Sequence, residues 1–280
     1  MLMVGLVTCA RPRAWADAGS ELPAPGTVDE VIAAGHQWRF ETARGPIRVW
    51  IPALYDSATA ATVVFVHGYA IDLDEAWSDC QLSAQFARSG LNAMFVAAAA
   101  PRQRRDAIVW PSPTALLAAV AAHTEVAMPT HRLVAIGHSG AYRTLAAWLY
   151  DDRLDTVVLL DAVYGEPGFT PWLRTAAHHR LINIASETTR YSDEMHRHLP
   201  DTTYVEGLAG DLPGDRIVYA RTHVGHWQLL DDGIALPLAL RALDVSRVAT
   251  APPQLSRGMA RHAAACAGHD PPGKILAETR

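Results

Sequence analysis

His131-Arg132-Leu133-Val134-Ala135-Ile136-Gly137-His138-Ser139-Gly140-Ala141 is an apolar run that ends in a small-residue turn holding a single serine. A buried strand that stops at such a turn and continues into a helix reads as a nucleophile elbow, in which a sharp bend lifts the hydroxyl clear of the sheet. The bend needs small neighbours. Gly137, Gly140 and Ala141 let the helix starting at Tyr142 approach the strand and leave room for a strained serine backbone. Ser139 is therefore the first candidate for chemistry. Ala141 departs from G-x-S-x-G by standing where the second glycine is expected, and it is still small.

Working outward, Thr62–Val66, Asn92–Ala97, Leu133–Ile136, Thr156–Leu160, Leu181–Ile184 and Arg216–Tyr219 are short continuous apolar runs, the pattern of strands covered on both faces. They alternate with helical stretches at Ser83–Ser89, Pro113–His123, Tyr142–Tyr150, Ser192–His198 and Pro237–Leu243, which predicts a mainly parallel, doubly wound α/β sheet. Before them, Gln37–Thr42 and Ile47–Ile51 alternate with period two around Gly45-Pro46, as an antiparallel hairpin does.

The chain has 280 residues, half of them apolar, enough for one large core. Its net charge of −5 includes no basic stripe, which argues against nucleic acid or an anionic membrane as partner and for a small-molecule or polymeric substrate. Cys9, Cys80 and Cys266 have no metal-ligand or redox spacing; Cys80 reads as a buried thiol and Cys266 as a tail residue, although an oxidising compartment would permit a bridge between them.

Residues 1–27 read as a leader and linker, 28–247 as the ordered domain and 248–280 as a flexible tail. The short apolar start and Ala14-Trp15-Ala16 resemble an export signal, although its basic beginning is missing and arginines stand at positions 11 and 13. Export is expected, with the cytoplasm as the alternative. Leu6-Val7-Thr8-Cys9 matches a lipoprotein box only poorly.

Three further segments complete a site with Ser139. Val63-Val64-Phe65-Val66-His67-Gly68-Tyr69 ends an early strand in a turn that can bring the Tyr69 N–H beside the Gly140 N–H, a pair of donors suited to an oxyanion. Thr222-His223-Val224-Gly225-His226-Trp227 follows the last predicted strand and offers two bases, of which His226 is favoured because Gly225 gives it a turn from which to reach back over the sheet. For the acid that orients the histidine, Asp161 closes one apolar strand and Glu187 follows the next; Asp161 is preferred as the shorter, stiffer group, with Asp193 a weaker choice.

Taken together, His67-Gly68-Tyr69, Gly137-His138-Ser139-Gly140-Ala141, Asp161 and Gly225-His226-Trp227 resemble the α/β-hydrolase superfamily over about residues 28–245. The resemblance implies Ser139 as nucleophile, His226 as base, Asp161 as acid, and Tyr69 and Gly140 as oxyanion donors. An acid after the later strand, where Glu187 lies, is the commoner arrangement in that superfamily. No cofactor and no metal are implied.

The expected activity is hydrolysis of an ester or amide through an acyl-enzyme, with an inactive binding protein or an acyltransferase as alternatives. The short segment 162–177 leaves no space for a large lid and predicts an open cleft. His178-His179 and His196-x-His198 are expected at the surface, and Trp110 and Trp172 in the core or along a cleft.

Overall fold

The computed structural model describes residues 27–165 and 168–248. The leader and tail readings, Cys9 and Cys266 lie outside them. Among the described residues nine strands form one sheet in the order β1-β2-β4-β3-β5-β6-β7-β9-β8. They are β1 (His36–Thr42), β2 (Gly45–Ile51), β3 (Ala61–Val66), β4 (Ala93–Ala98), β5 (Leu133–His138), β6 (Leu154–Leu160), β7 (Arg180–Ala185), β8 (Thr203–Glu206) and β9 (Ile217–Arg221). The β1–β2 and β2–β4 pairs are antiparallel and every other pair is parallel, so the expected hairpin leads into a doubly wound parallel sheet.

Every residue of β3, β4 and β5 is buried, because side chains alternate between two covered faces. Val64, Val66, Ala135, Val157 and Leu159 point to one face, where α4 (Pro113–Thr124), α5 (Tyr142–Trp148), α6 (Phe169–Thr175) and α7 (Thr189–His196) pack. Val63, Phe65, Val134, Ile136, Val158 and Leu160 point to the other, under α2 (Leu73–Asp79), α3 (Leu82–Ser89), α8 (Gln228–Asp231) and α9 (Ala235–Arg241). Each fully buried Val, Leu, Ile or Phe among them contributes about 1.5–3 kcal/mol, which makes the register of the central strands hard to shift. Among the described residues, the connection between β6 and β7 carries one seven-residue helix, α6, and no large lid.

Several features differ from the expectations. Strand β8 at the sheet edge and the short helices α1 (Val28–Ala34), α2, α6 and α8 add to the predicted set. His179 and His196 are not at the surface. The His179 ring stacks on Trp172 at 4.2 Å and its Nδ1 contacts the Trp172 carbonyl at 2.8 Å. His196 stacks on Tyr219 at 4.4 Å, with Thr202 on Nδ1 at 3.0 Å and Asn183 on Nε2 at 3.2 Å. The adjacent and i,i+2 spacings separate each histidine pair onto different faces, and in each pair one face turns inward. Trp110 and Trp172 are core residues, and Cys80 is buried. No helix among the described residues is long and apolar enough to cross a membrane.

Candidate active site

Ser139 opens a short 3-10 turn, residues 139–141, that carries β5 into α5. Its φ of 53° lies in the left-handed region, which costs a non-glycine residue about 1–2 kcal/mol and persists only where the surroundings hold it. Those surroundings leave space for little else. A methyl group on Gly137 would sit 2.9 Å from the Leu145 side chain and 3.0 Å from Ala141 Cβ, so the glycine leaves the space that alanine occupies at the second small position. On Gly68 it would come within 2.8 Å of Ser139 Cβ, and on Gly140 within 2.5 Å of the Tyr69 ring. The turn after β3 is thus packed directly on the elbow.

The residues that sequence reading placed at Tyr69 and Gly140 are therefore neighbours. The Tyr69 N–H donates to no acceptor among the described residues, and Gly140 lies in the first turn of its helical segment, where N–H groups have no intrahelical partner. Arg143 ties the surrounding loops together: its Nη1 donates to the Arg104 carbonyl, to the Asp106 carbonyl at 3.1 Å and to the Tyr69 hydroxyl at 3.4 Å. His67 is buried beneath the same turn. Its Nε2 accepts from the Ala100 N–H at 3.0 Å, which leaves Nδ1–H to donate to the Gly68 carbonyl at 2.8 Å, and burial holds its pKa below the ordinary value.

At the end of the adjacent strand β6, Asp161 is fully buried and also left-handed, with φ 47°. Its Oδ1 accepts from the Ser186 N–H at 2.9 Å, the Thr188 N–H at 2.9 Å and the Thr188 hydroxyl at 2.7 Å. Oδ2 accepts from the Glu187 N–H at 3.2 Å and from His226 Nδ1 at 2.6 Å. Burial alone would raise the Asp161 pKa, but the hydrogen bonds from His226, Ser186 and Thr188 hold it well below the usual carboxylate range. Glu187 thus contributes its backbone to the Asp161 site, while its own residue surface is exposed.

His226 projects from the turn after β9. With Asp161 ionised, Nδ1–H donates to it, so in the neutral imidazole the lone pair sits on Nε2, the tautomer a general base requires. His223 is exposed and makes no side-chain hydrogen bond among the described residues. His138, inside the elbow, donates from Nε2 to the His226 carbonyl at 3.0 Å, and the two rings lie 4.6 Å apart. Burial first, and the neighbouring His226 next, push the His138 pKa down to about 3, so the imidazole is neutral and its buried Nδ1 has no partner among the described residues.

Sequence reading missed four neighbours of these residues: His138 as the link between the elbow and the His226 turn, Thr188 as a donor to Asp161, Arg143, and Tyr164, whose phenol lies beside the Ser139 hydroxyl. Only Thr188 left a trace, as one of the hydroxyl residues flanking Glu187. Separately, an open depression of about 560 Å³, lined in part by His131, Arg132, Asp155, His178 and Asp244, lies by the amino-terminal ends of the parallel strands, opposite Ser139.

No protein-family model matches the sequence, and neither does any curated protein. Solved structures do. The feruloyl esterase module from Clostridium thermocellum, complexed with sinapinate, aligns at 12% identity and a TM-score of 0.54, covering 81% of this chain and 96% of that one. A ferulic acid esterase aligns at 10% identity and a TM-score of 0.54 over 75% and 98% of the two chains. An S-formylglutathione hydrolase from Agrobacterium tumefaciens aligns at 10% identity and a TM-score of 0.50 over 75% and 95%. The chain has the α/β-hydrolase fold, so the resemblance read from the motifs holds at the level of the fold.

Proposed function

We propose that the protein is a serine hydrolase that cleaves a carboxylic ester or amide through an acyl-enzyme. Ser139 attacks the carbonyl carbon while His226 Nε2 takes its proton, and the Tyr69 and Gly140 N–H groups stabilise the oxyanion of the tetrahedral intermediate. The intermediate collapses as His226 returns the proton to the leaving alcohol or amine. Water, deprotonated by the same histidine, then releases the acid and frees Ser139. Asp161 remains ionised throughout and holds the imidazolium in place.

The observation that carries this reading is the 2.6 Å contact between Asp161 Oδ2 and His226 Nδ1 at the carboxyl edge that also carries the strained Ser139. A solvated structural histidine does not need a fully buried carboxylate with four other donors behind it. A fluorophosphonate probe, which reacts with activated serines, tests the proposal. Labelling of the wild type and of His223→Ala, with loss in Ser139→Ala and His226→Ala, supports it; folded wild type that takes no label overturns it and leaves a binding protein.

A further inference from the structure

Three tyrosines on three successive connections meet beside Ser139, and the steps above use none of them. Tyr142 opens α5 directly behind the elbow, Tyr164 follows Asp161 in the loop after β6, and Tyr191 lies in the first turn of α7. Their rings form a row, with centroids 5.4 Å apart from Tyr142 to Tyr164 and 6.2 Å from Tyr164 to Tyr191. Tyr142 packs partly against the core at one end. Tyr164 and Tyr191 are 39% and 43% exposed, and the Tyr164 phenol borders the Ser139 hydroxyl.

Single exposed aromatics are ordinary on a protein surface. A row whose middle ring, Tyr164, borders the Ser139 hydroxyl is different, because each ring offers a rigid apolar face at the cost of only two side-chain torsions. Aromatic pairs prefer offset-stacked or edge-to-face contact with ring centroids about 4.5–7 Å apart; both gaps in the row fall in that range, with the rings tilted by 40° and 43°. A planar ring carried by the substrate would pack against the row beside Tyr164, whereas an aliphatic chain gains contact area without the ring–ring interaction.

We infer that the row formed by Tyr142, Tyr164 and Tyr191 binds an aromatic ring of the ester beside the scissile carbonyl, which makes the enzyme selective for aromatic over aliphatic esters. The inference rests on the serine-hydrolase reading and names the substrate class of that site. The ring belongs to the acid or to the alcohol, and two probes separate these: methyl cinnamate carries it on the acyl side and benzyl acetate on the alcohol side. Methyl butyrate is the reference without a ring.

The readout is the ratio of kcat/KM for each aromatic ester to that for methyl butyrate. In Tyr191→Ala the ratio for at least one aromatic ester is expected to fall roughly two- to tenfold, the span of a single aromatic contact, and Tyr191→Phe is expected to retain it. Using a ratio cancels any general loss of folded enzyme. A ratio unchanged in Tyr191→Ala and in Tyr164→Leu for both aromatic esters overturns the inference, and continued fluorophosphonate labelling in that case leaves the hydrolase reading intact. If the wild type neither labels nor turns over any ester, the hydrolase reading fails first, and calorimetric binding to Ser139→Ala decides the row on its own. Tighter binding of either aromatic ester than of methyl butyrate, lost in the Ser139→Ala, Tyr191→Ala double variant, supports it; equal binding overturns it.

Discussion

Asp161 accepts five hydrogen bonds in a fully buried position, four of them from the segment that follows β7. Replacing it with asparagine keeps the shape but turns a donor toward groups that are themselves donors, and it removes the charge that stabilises an imidazolium. For Asp161→Asn, kcat/KM on a simple ester is expected to drop by about 10² to 10⁴, measured by steady-state kinetics, while Glu187→Gln stays within about twofold of wild type. Comparable losses in both variants would remove the assignment of Asp161. Gly140→Ala tests the packing of the other half of the site: its methyl would lie 2.5 Å from the Tyr69 ring, so the turn that offers the Tyr69 N–H has to move. A loss of at least about tenfold in kcat is expected, since one oxyanion donor is worth about 10² to 10³. At this scale the sequence exposes residues whose neighbours are unusual. Ser139 stands out because a buried strand rarely ends in a run of small residues, and Asp161 because a charge closes an apolar strand. Tyr164 and Arg143 have no such frame; only the folded chain brings them to the site.

The central strands were legible because burial on both faces leaves continuous apolar runs that polar loops interrupt. Strand β8 was not, because a four-residue edge strand with alternate residues exposed carries no such run. Helices α1 and α2 were missed although both begin with a readable capping box, Thr27-x-x-Glu30 and Asp72-x-x-Glu75. In α2 the Glu75 N–H donates to Asp72 Oδ1 at 3.0 Å and the Asp72 N–H to Glu75 Oε2 at 2.8 Å. The helix places Leu73, Ala76 and Trp77 in the core just after the Tyr69 turn, so its start anchors that turn. Asp72→Ala is expected to lower the unfolding free energy by about 1 kcal/mol, read as a shift in the urea midpoint, and Glu75→Gln to lower it by much less because glutamine completes the same box. Equal effects from both substitutions would assign the stabilisation to charge instead of to the cap.

Among the described residues, three buried histidines sit where protonation is unfavourable: His67 under the Tyr69 turn, His138 in the elbow and His196 against Tyr219. Burial pushes His138 down to about 3 and His196 to about 4, and His67 below its ordinary value. An unfolded chain binds protons at these positions near the ordinary histidine pKa of about 6.5, so below that pH the unfolded state holds more protons than the native one and stability falls as pH falls. Above it the three groups are neutral in both states and have no effect. Asp161 works in a lower window: its depressed pKa gives stability that is complete above the ordinary aspartate value of about 3.9 and is lost only as pH drops toward its folded value. The first acid loss is therefore carried by histidines. Each contributes a slope of about 1.4 kcal/mol per pH unit between its unfolded and folded pKa, so the urea midpoint is expected to be flat with respect to these groups from pH 7 to 8 and to decline from about 6.5 toward 4. His196→Gln isolates one of them, since a glutamine amide can accept from Asn183 and donate to Thr202 in its place. The variant is expected to show a decline shallower by about 1.4 kcal/mol per pH unit, whatever its stability at pH 7. An unchanged slope would mean that His196 charges as freely in the folded protein as in the unfolded chain, which its burial between Tyr219 and Asn183 forbids.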